Sequence, residues 1–76
     1  MPPPRSEALA ALGSAIRETR KESGYTQEGF AIKSGIDRSY YGAIERGEHN
    51  LTVANLLKVA TGLDVPAWEL LRRAGM

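Results

Sequence analysis

The residues best suited to chemistry lie close together between positions 38 and 46. In a helix, which turns by about 100° per residue, this segment presents two cationic and three small residues on one face: Arg38, Ser39, Gly42, Ala43 and Arg46. An arginine can bond guanine through two hydrogen bonds, a serine hydroxyl can bond a base edge, and an alanine can contact the thymine methyl. The face is therefore suited to reading bases in the major groove of DNA.

Gly42 lies in the middle of this face. A glycine inside a helix costs about 1 kcal/mol relative to alanine, so helix stability does not account for it. Small residues there would let the helix backbone approach base edges closely. The alternative is that Gly42 and Ala43 pack beneath a neighbouring element, and the residues alone leave both interpretations open.

Capping residues and helix breakers divide the chain into five predicted helices. Each starts at a cap or a proline and stops at a glycine: Ser6 to Ser23 with Ser6 as N-cap and Gly24 as terminator, Thr26 to Gly35, Asp37 to Gly47, Thr52 to Gly62, and Pro66 to near Gly75. No segment shows the period-two alternation of apolar and polar residues that a half-buried strand requires. The predicted fold class is all-α, a compact five-helix bundle.

The second and third predicted helices are joined by a turn of about three or four residues, which contains Gly35. Such a turn is too short for antiparallel packing and is typical of a helix-turn-helix unit. The residues expected to face the core are Leu12, Ile16, Phe30, Ile36, Ile44, Leu56, Leu57, Ala60 and Leu63. This core would hold the third helix with its arginines outward.

The composition restricts the class of protein. Seventy-six residues allow one small domain, and we expect residues 6–76 to form it after a disordered leader at 1–5 that contains three consecutive prolines. The absence of cysteine excludes a disulfide framework and fits a cytoplasmic location. Charges interrupt every apolar stretch before the roughly 20 residues of a membrane span. Because the net charge is only +1, any contact with DNA must depend on where the charges lie.

The chain offers little for catalysis. The sequence has no cysteine or second histidine that could complete a metal site with His49, so we interpret His49 as a solvated loop residue. A contact from His49, beside Asn50, to a phosphate is the alternative. A glycine-rich phosphate loop, a nucleophile elbow and an obvious carboxylate pair are absent from the sequence. We therefore expect neither an enzyme nor a cofactor, a metal or a small-molecule ligand.

Several short motifs together resemble the helix-turn-helix domain of phage repressors and Cro, often called the Xre family. The resemblance covers about residues 12–73, and its motifs are Ile16-Arg17, Arg20-Lys21, Gly24-Tyr25-Thr26-Gln27-Glu28, Ala31, Ser34-Gly35-Ile36-Asp37, Ile44-Glu45-Arg46-Gly47 and Leu63-Asp64-Val65. The run Asp37-Arg38-Ser39-Tyr40-Tyr41 is most similar to restriction-modification controller proteins, which are homodimeric transcription regulators. The resemblance implies a lambda repressor-like DNA-binding domain.

The resemblance also implies which residues contact DNA. The positions that match base-edge contacts are Arg38, Ser39 and Ala43, around Gly42, and those that match backbone contacts are Tyr40, Arg46 and Gln27, with Thr26 both capping a helix and contacting DNA. Backbone contacts would position the protein, whereas base contacts would specify the sequence. Arg20 and Glu45 match a salt bridge that ties the first helix to the end of the third.

Three residues depart from the family pattern: Gly29, Tyr41 and Trp68. Gly29 is expected to weaken the second helix, and Tyr41 is bulkier than the usual inward aliphatic residue. Trp68 occupies a position that is commonly polar, and with Leu71 it gives the fifth helix more apolar surface than a small core needs. We expect Trp68 and Leu71 to form a homodimer interface; the alternative is that Trp68 folds back over the core.

These observations predict a sequence-specific DNA-binding transcription regulator that binds a palindromic operator as a homodimer. Two recognition helices, each about residues 37–46, would lie about 34 Å apart in successive major grooves. The protein would act as a repressor, an activator or both. The alternative is a protein-interaction module, antitoxin-like or adaptor, which would bind its partner through Trp68 and is favoured mildly by the near-neutral charge.

Overall fold

The computed structural model describes residues 5–48 and 50–76, and within these residues all regular structure is helical. The helices in chain order are α1 (Arg5–Glu22), α2 (Gln27–Ser34), α3 (Arg38–Arg46), α4 (Val53–Leu63) and α5 (Ala67–Arg73). The predicted all-α class and five-helix architecture are confirmed. None of the helices in this part of the chain is long and apolar enough to cross a membrane.

The ends of α2 and α3 lie where the caps predict them. The side chains of Thr26 and Asp37 accept the backbone N–H groups of Gly29 and Tyr40, which completes the first turn of each helix. Gly35 and Gly47 close the same helices in the left-handed conformation, each with φ of 72°. Thr52 caps α4 in the same way as Thr26 caps α2.

Other helix ends differ from the prediction. Because α1 already includes Arg5, Ser6 lies inside its first turn and is not the N-cap; arginine is a strong helix former and extends the helix by one residue. Residue 5 is therefore not part of a disordered leader, and residues 1–4 lie outside the described residues. α5 begins at Ala67, with Pro66 as its N-cap and not as its first residue.

Gly62 does not terminate α4 as expected. The helix continues to Leu63 and closes at Asp64, which adopts a left-handed conformation with φ of 59°. Gly62 instead serves packing, because a Cβ atom there would lie 2.9 Å from Cζ of Phe30. The missing side chain allows α4 to approach α2.

The core receives side chains from every helix and from the α2–α3 turn: Leu12, Ile16, Phe30, Ala31, Ile36, Tyr41, Ile44, Val59, Ala60, Leu63 and Leu70. Most of the predicted core residues lie in it, and Leu56 packs against it only partly buried. The prediction for Leu57 is wrong, since its side chain is 51% exposed. Leu57 lies about 100° further around α4 than Leu56, on the side of the helix that faces solvent with Ala54, Lys58 and Thr61.

Candidate nucleic-acid interface

A three-residue turn, 35–37, connects α2 to α3. The N–H of Gly35 donates to the carbonyl of Ile32, and the N–H of Ile36 donates to the carbonyl of Ala31. Ile36 then inserts its side chain into the core. Hydrogen bonds on one side of the turn and the Asp37 cap on the other fix the orientation of α3 relative to α2.

α3 packs against both α1 and α2. Its buried residues are Tyr41, Gly42, Ala43, Ile44 and Glu45, and its exposed ones are Arg38, Ser39 and Arg46. Arg38, Gly42 and Arg46 are spaced four residues apart, so they form a line along one side of the helix. We call these three residues the arginine row. A ligand can reach the two arginines at the ends of the row, whereas Gly42 between them is buried.

Gly42 is covered by the ends of two flexible side chains. A Cβ atom at this position would lie 3.1 Å from Nη1 of Arg46 and 3.4 Å from Oε1 of Gln27. The absence of a side chain therefore lets Arg46 and Gln27 lie close to the α3 backbone. Of the two interpretations that the sequence left open for Gly42, neither fits completely, because its cover is polar and movable.

Ala43 is not available for contact with a base, so that expectation is wrong. It is only 3% exposed. The buried side of α3 extends from Ala43 to Glu45, which corresponds to about 200° of the helix at about 100° per residue. Because α1 and α2 both pack against α3, the buried arc is wider than half the circumference of the helix and includes Ala43.

Arg20 and Glu45 form a buried bidentate salt bridge between α1 and the end of α3. Nε of Arg20 lies 2.7 Å from Oε2 of Glu45, and Nη2 lies 3.1 Å from Oε1. The same carboxylate accepts the hydroxyl of Tyr41 at 2.5 Å and the amide of Gln27 at 3.1 Å. The remaining guanidinium nitrogen donates to the carbonyl of Tyr25. The network links α1, α2 and α3 at one point.

The network keeps both members of the pair charged. Burial opposes the charge of Glu45, but hydrogen bonds from Arg20, Tyr41 and Gln27 outweigh it, so the pKa of Glu45 lies below its ordinary value of 4.5. The hydrogen bond to Glu45 raises the pKa of Arg20. Burial, followed by the contact with Glu45, raises the pKa of Tyr41. At neutral pH the network therefore contains an ionised carboxylate, a guanidinium and a neutral phenol.

A cationic cleft lies where α1, α2 and α3 meet, and its lining residues are Arg17, Arg20, Gln27, Glu45 and Arg46. One lining residue, Gln27, is the first residue of α2, and the N–H groups and the dipole at the start of a helix favour anions. Arg17 was not among the predicted site residues. Its position three residues before Arg20 places it on the same side of α1, and this spacing is the signal that could have identified it.

The other predicted DNA contacts have structural partners as well. Thr26 uses its hydroxyl to cap α2 at the N–H of Gly29, 3.0 Å away. Tyr40 donates its hydroxyl to the carbonyl of Asn50 and accepts the amide of Asn55, and so connects α3 to the start of α4. Both side chains therefore have a structural role, Thr26 at the start of α2 and Tyr40 between α3 and α4.

His49 lies outside the described residues, so the expectation for its side chain is not addressed by the structure. Among residues 5–48 and 50–76, no group of three or more histidine, cysteine, aspartate or glutamate side chains could hold a metal ion.

The two predicted interface residues of α5 differ in exposure. Trp68 is 62% exposed, so it does not fold back over the core, and that alternative is wrong. Leu71 is partly buried and packs against the core. Trp68 therefore presents most of its ring to solvent.

Comparisons with known proteins agree with this geometry. A helix-turn-helix family profile (HTH_3) matches residues 16–70. Control protein C.MunI of a Mycoplasma species is 39% identical over 60 residues, which are 78% of this chain and 81% of that protein. Other matched regulators are longer, and the chain spans 65%, 31% and 40% of the length of three of them.

Solved structures give the same result. The restriction-modification controller protein C.AhdI of Aeromonas hydrophila is 47% identical, with a TM-score of 0.79, and the match covers 82% of this chain and 94% of that chain. SinR of Bacillus subtilis, the master regulator for biofilm formation, was solved in complex with DNA and is 39% identical, with a TM-score of 0.75 and coverage of 79% and 97%. The chain therefore belongs to the Cro/C1-type helix-turn-helix family of DNA-binding transcription regulators, and its relatives include restriction-modification controller proteins.

Proposed function

We propose that the protein binds a palindromic DNA operator as a homodimer, with α3 in the major groove. The observation that carries this proposal is the exposure of Arg38, Ser39 and Arg46 along one side of a helix whose other sides are buried. Such a helix can be inserted into a groove about 12 Å wide without unpacking the core. The likeness to the controller proteins C.MunI and C.AhdI supports a role as a controller of transcription.

The cationic cleft is proposed to hold one phosphate of the DNA backbone. Arg17 and Arg46 supply positive charge at its rim, and the N-terminus of α2 supplies backbone dipoles. One amide N–H of Gln27 already donates to Glu45, so the second is the donor that would reach the phosphate. This contact would fix the distance of α3 from the DNA, while Arg38 and Ser39 meet base edges.

Selection of bound duplexes from a random pool tests the proposal. We expect the selected duplex to be palindromic. We expect Arg38→Ala to weaken binding to this duplex by about 1–3 kcal/mol and to relax the preference at one base pair. Fluorescence anisotropy on the selected duplex and on its single-base variants measures the loss of affinity and the change in base preference. Lys58→Ala is the matched control, because Lys58 is an exposed cation in the groove between α2 and α4. Equal losses from both substitutions would contradict readout by Arg38.

The dimer is proposed to form through Trp68. A tryptophan that is 62% exposed on the last helix leaves a large apolar area in water. We expect a dimer in sedimentation velocity and a shift to monomer in Trp68→Ala. Ile32→Ala removes an exposed apolar side chain from α2 and serves as the control. A wild-type protein that remains monomeric at high micromolar concentration would contradict the dimer.

The exposure of Trp68 also favours the second candidate function, a protein-interaction module. In that case the selection would enrich no duplex, and binding to DNA would be weak and abolished by salt. The two candidates therefore give opposite results in the same selection experiment.

A further inference from the structure

Two exposed carboxylates lie beside the arginine row. Nε of Arg46 lies 3.0 Å from Oε2 of Glu48, and Nε of Arg38 lies 4.0 Å from Oε2 of Glu28. All four side chains are more than half exposed. Both arginines of the row therefore have an acidic neighbour on the same surface.

Neither folding stability nor general affinity for DNA accounts for these glutamates. Exposed ion pairs contribute little to stability, because water screens them and the side chains lose freedom. A carboxylate near a polyanion also repels phosphates and reduces the number of counterions that binding releases. Glu28 and Glu48 thus oppose non-specific attraction to DNA at the site where that attraction would be strongest.

The contact of Glu48 with Arg46 has a defined direction. The carboxylate lies at Nε, whereas Nη1 of the same guanidinium lies over Gly42, 3.1 Å from the position that a Cβ atom would take there. The guanidinium therefore lies between a carboxylate and the bare backbone of α3. A guanidinium has five N–H donors in a rigid plane. Contact at Nε orients the guanidinium plane of Arg46 and leaves the N–H donors of Nη1 and Nη2 available to a ligand.

We propose that Glu48 makes DNA binding selective by positioning Arg46 at Nε, and that Glu28, 4.0 Å from Nε of Arg38, adds to the effect through its charge alone. The oriented donors of Arg46 fit the acceptors of the operator, and the paired charges reduce attraction to unrelated phosphates. Glu48 is thus a positioning residue that acts through Arg46. This inference rests on the proposed function and deepens it.

Glu48→Gln tests the inference in the full chain, with the selected duplex and an unrelated duplex of equal length as probes. We expect affinity for the unrelated duplex to rise about three- to tenfold and to depend more steeply on salt, by about one additional phosphate contact. Affinity for the selected duplex should change less, so the ratio of the two affinities falls. Glu28→Gln should act in the same direction with a smaller change.

Glu22→Gln is the matched control. Glu22 pairs with Arg73 and joins α1 to α5, away from the arginine row, and its loss changes the net charge by the same amount. An equal fall of the ratio in Glu22→Gln would overturn the inference, because net charge would then explain the effect. An unchanged ratio in Glu48→Gln would overturn it as well.

A second measurement tests the contact between Arg46 and Glu48 in the absence of DNA. In the wild-type protein the Nε–H resonance of Arg46 should exchange slowly with water, and in Glu48→Gln it should exchange faster; equal rates would overturn the inference. If the wild-type chain selects no duplex, the proposed function fails and the inference with it. If selection is intact but the affinity ratio does not respond to Glu48→Gln, the inference alone fails.

Discussion

Arg20→Met is expected to lower the free energy of unfolding by about 3–5 kcal/mol. The substitution removes the cation that contacts both oxygens of the Glu45 carboxylate, at 2.7 Å and 3.1 Å. Glu45 remains buried, with only the neutral donors of Tyr41 and Gln27. A buried carboxylate without its cation keeps the full cost of desolvation. Urea denaturation near neutral pH measures the loss.

Two further variants show whether burial causes the effect. Arg73→Met removes the arginine of a more exposed pair with Glu22 and should cost less than about 1 kcal/mol. The double variant Arg20→Met/Glu45→Met should be more stable than Arg20→Met alone, since it no longer buries an unpaired charge. A double variant less stable than Arg20→Met would contradict this explanation.

The effect should depend on pH. In the wild-type protein the pKa of Glu45 lies below its ordinary value of 4.5, so the stability it contributes is present above about pH 4.5 and is lost as the pH falls through the folded-state pKa. In Arg20→Met the hydrogen bond and the charge of Arg20, which lower the pKa of Glu45, are lost while its burial remains, so we expect that pKa to rise. Its penalty is then largest near neutral pH and disappears in acid, so the difference between the two proteins should narrow as the pH falls. Urea titrations at about pH 7 and about pH 4 test this; a constant difference would argue against an ionised Glu45.

Features that depend on local chemistry could be predicted from the sequence. The caps Thr26 and Asp37 and the terminators Gly35 and Gly47 act within one helical turn, so their residue types suffice to place α2, α3 and the turn between them. The arginine row follows from the same reasoning, because a spacing of four residues fixes Arg38, Gly42 and Arg46 on one side of any helix.

Features that depend on packing between helices could not be predicted in this way. The exposure of Leu57 and the burial of Ala43 depend on which neighbours cover α4 and α3, and periodicity does not contain that information. The contact of Gln27 in α2 with Glu45 in α3 depends on the relative position of two helices. The role of Gly13 in close packing is similar, since a Cβ atom there would collide with the carbonyl oxygen of Ile44.

Gly47→Ala is expected to cost about 2–5 kcal/mol, for two reasons that add. The left-handed conformation of Gly47, with φ of 72°, costs a residue with a Cβ atom about 1–2 kcal/mol. The new Cβ atom would also lie 2.7 Å from Cα of Ala10 in α1. The Cβ atom is fixed to the backbone at the end of α3 and its neighbour is backbone of α1, so no side chain can rotate away to remove the clash. The two helices must separate instead, and overpacking of this kind costs about 1–3 kcal/mol more. Urea denaturation measures the sum.

Gly35→Ala separates the two contributions. Gly35 closes α2 with the same φ of 72°, but nothing lies within 4 Å of the position of its Cβ atom. It should therefore show only the conformational cost of about 1–2 kcal/mol. The separation of α1 from α3 in Gly47→Ala should also pull Arg20 away from Glu45 and displace the arginine row, so Gly47→Ala should lose affinity for the selected duplex while Gly35→Ala retains more of it. Equal losses of stability in the two variants would mean that α1 yields to the new methyl group without strain, and that the end of α3 is not held by its contact with Ala10.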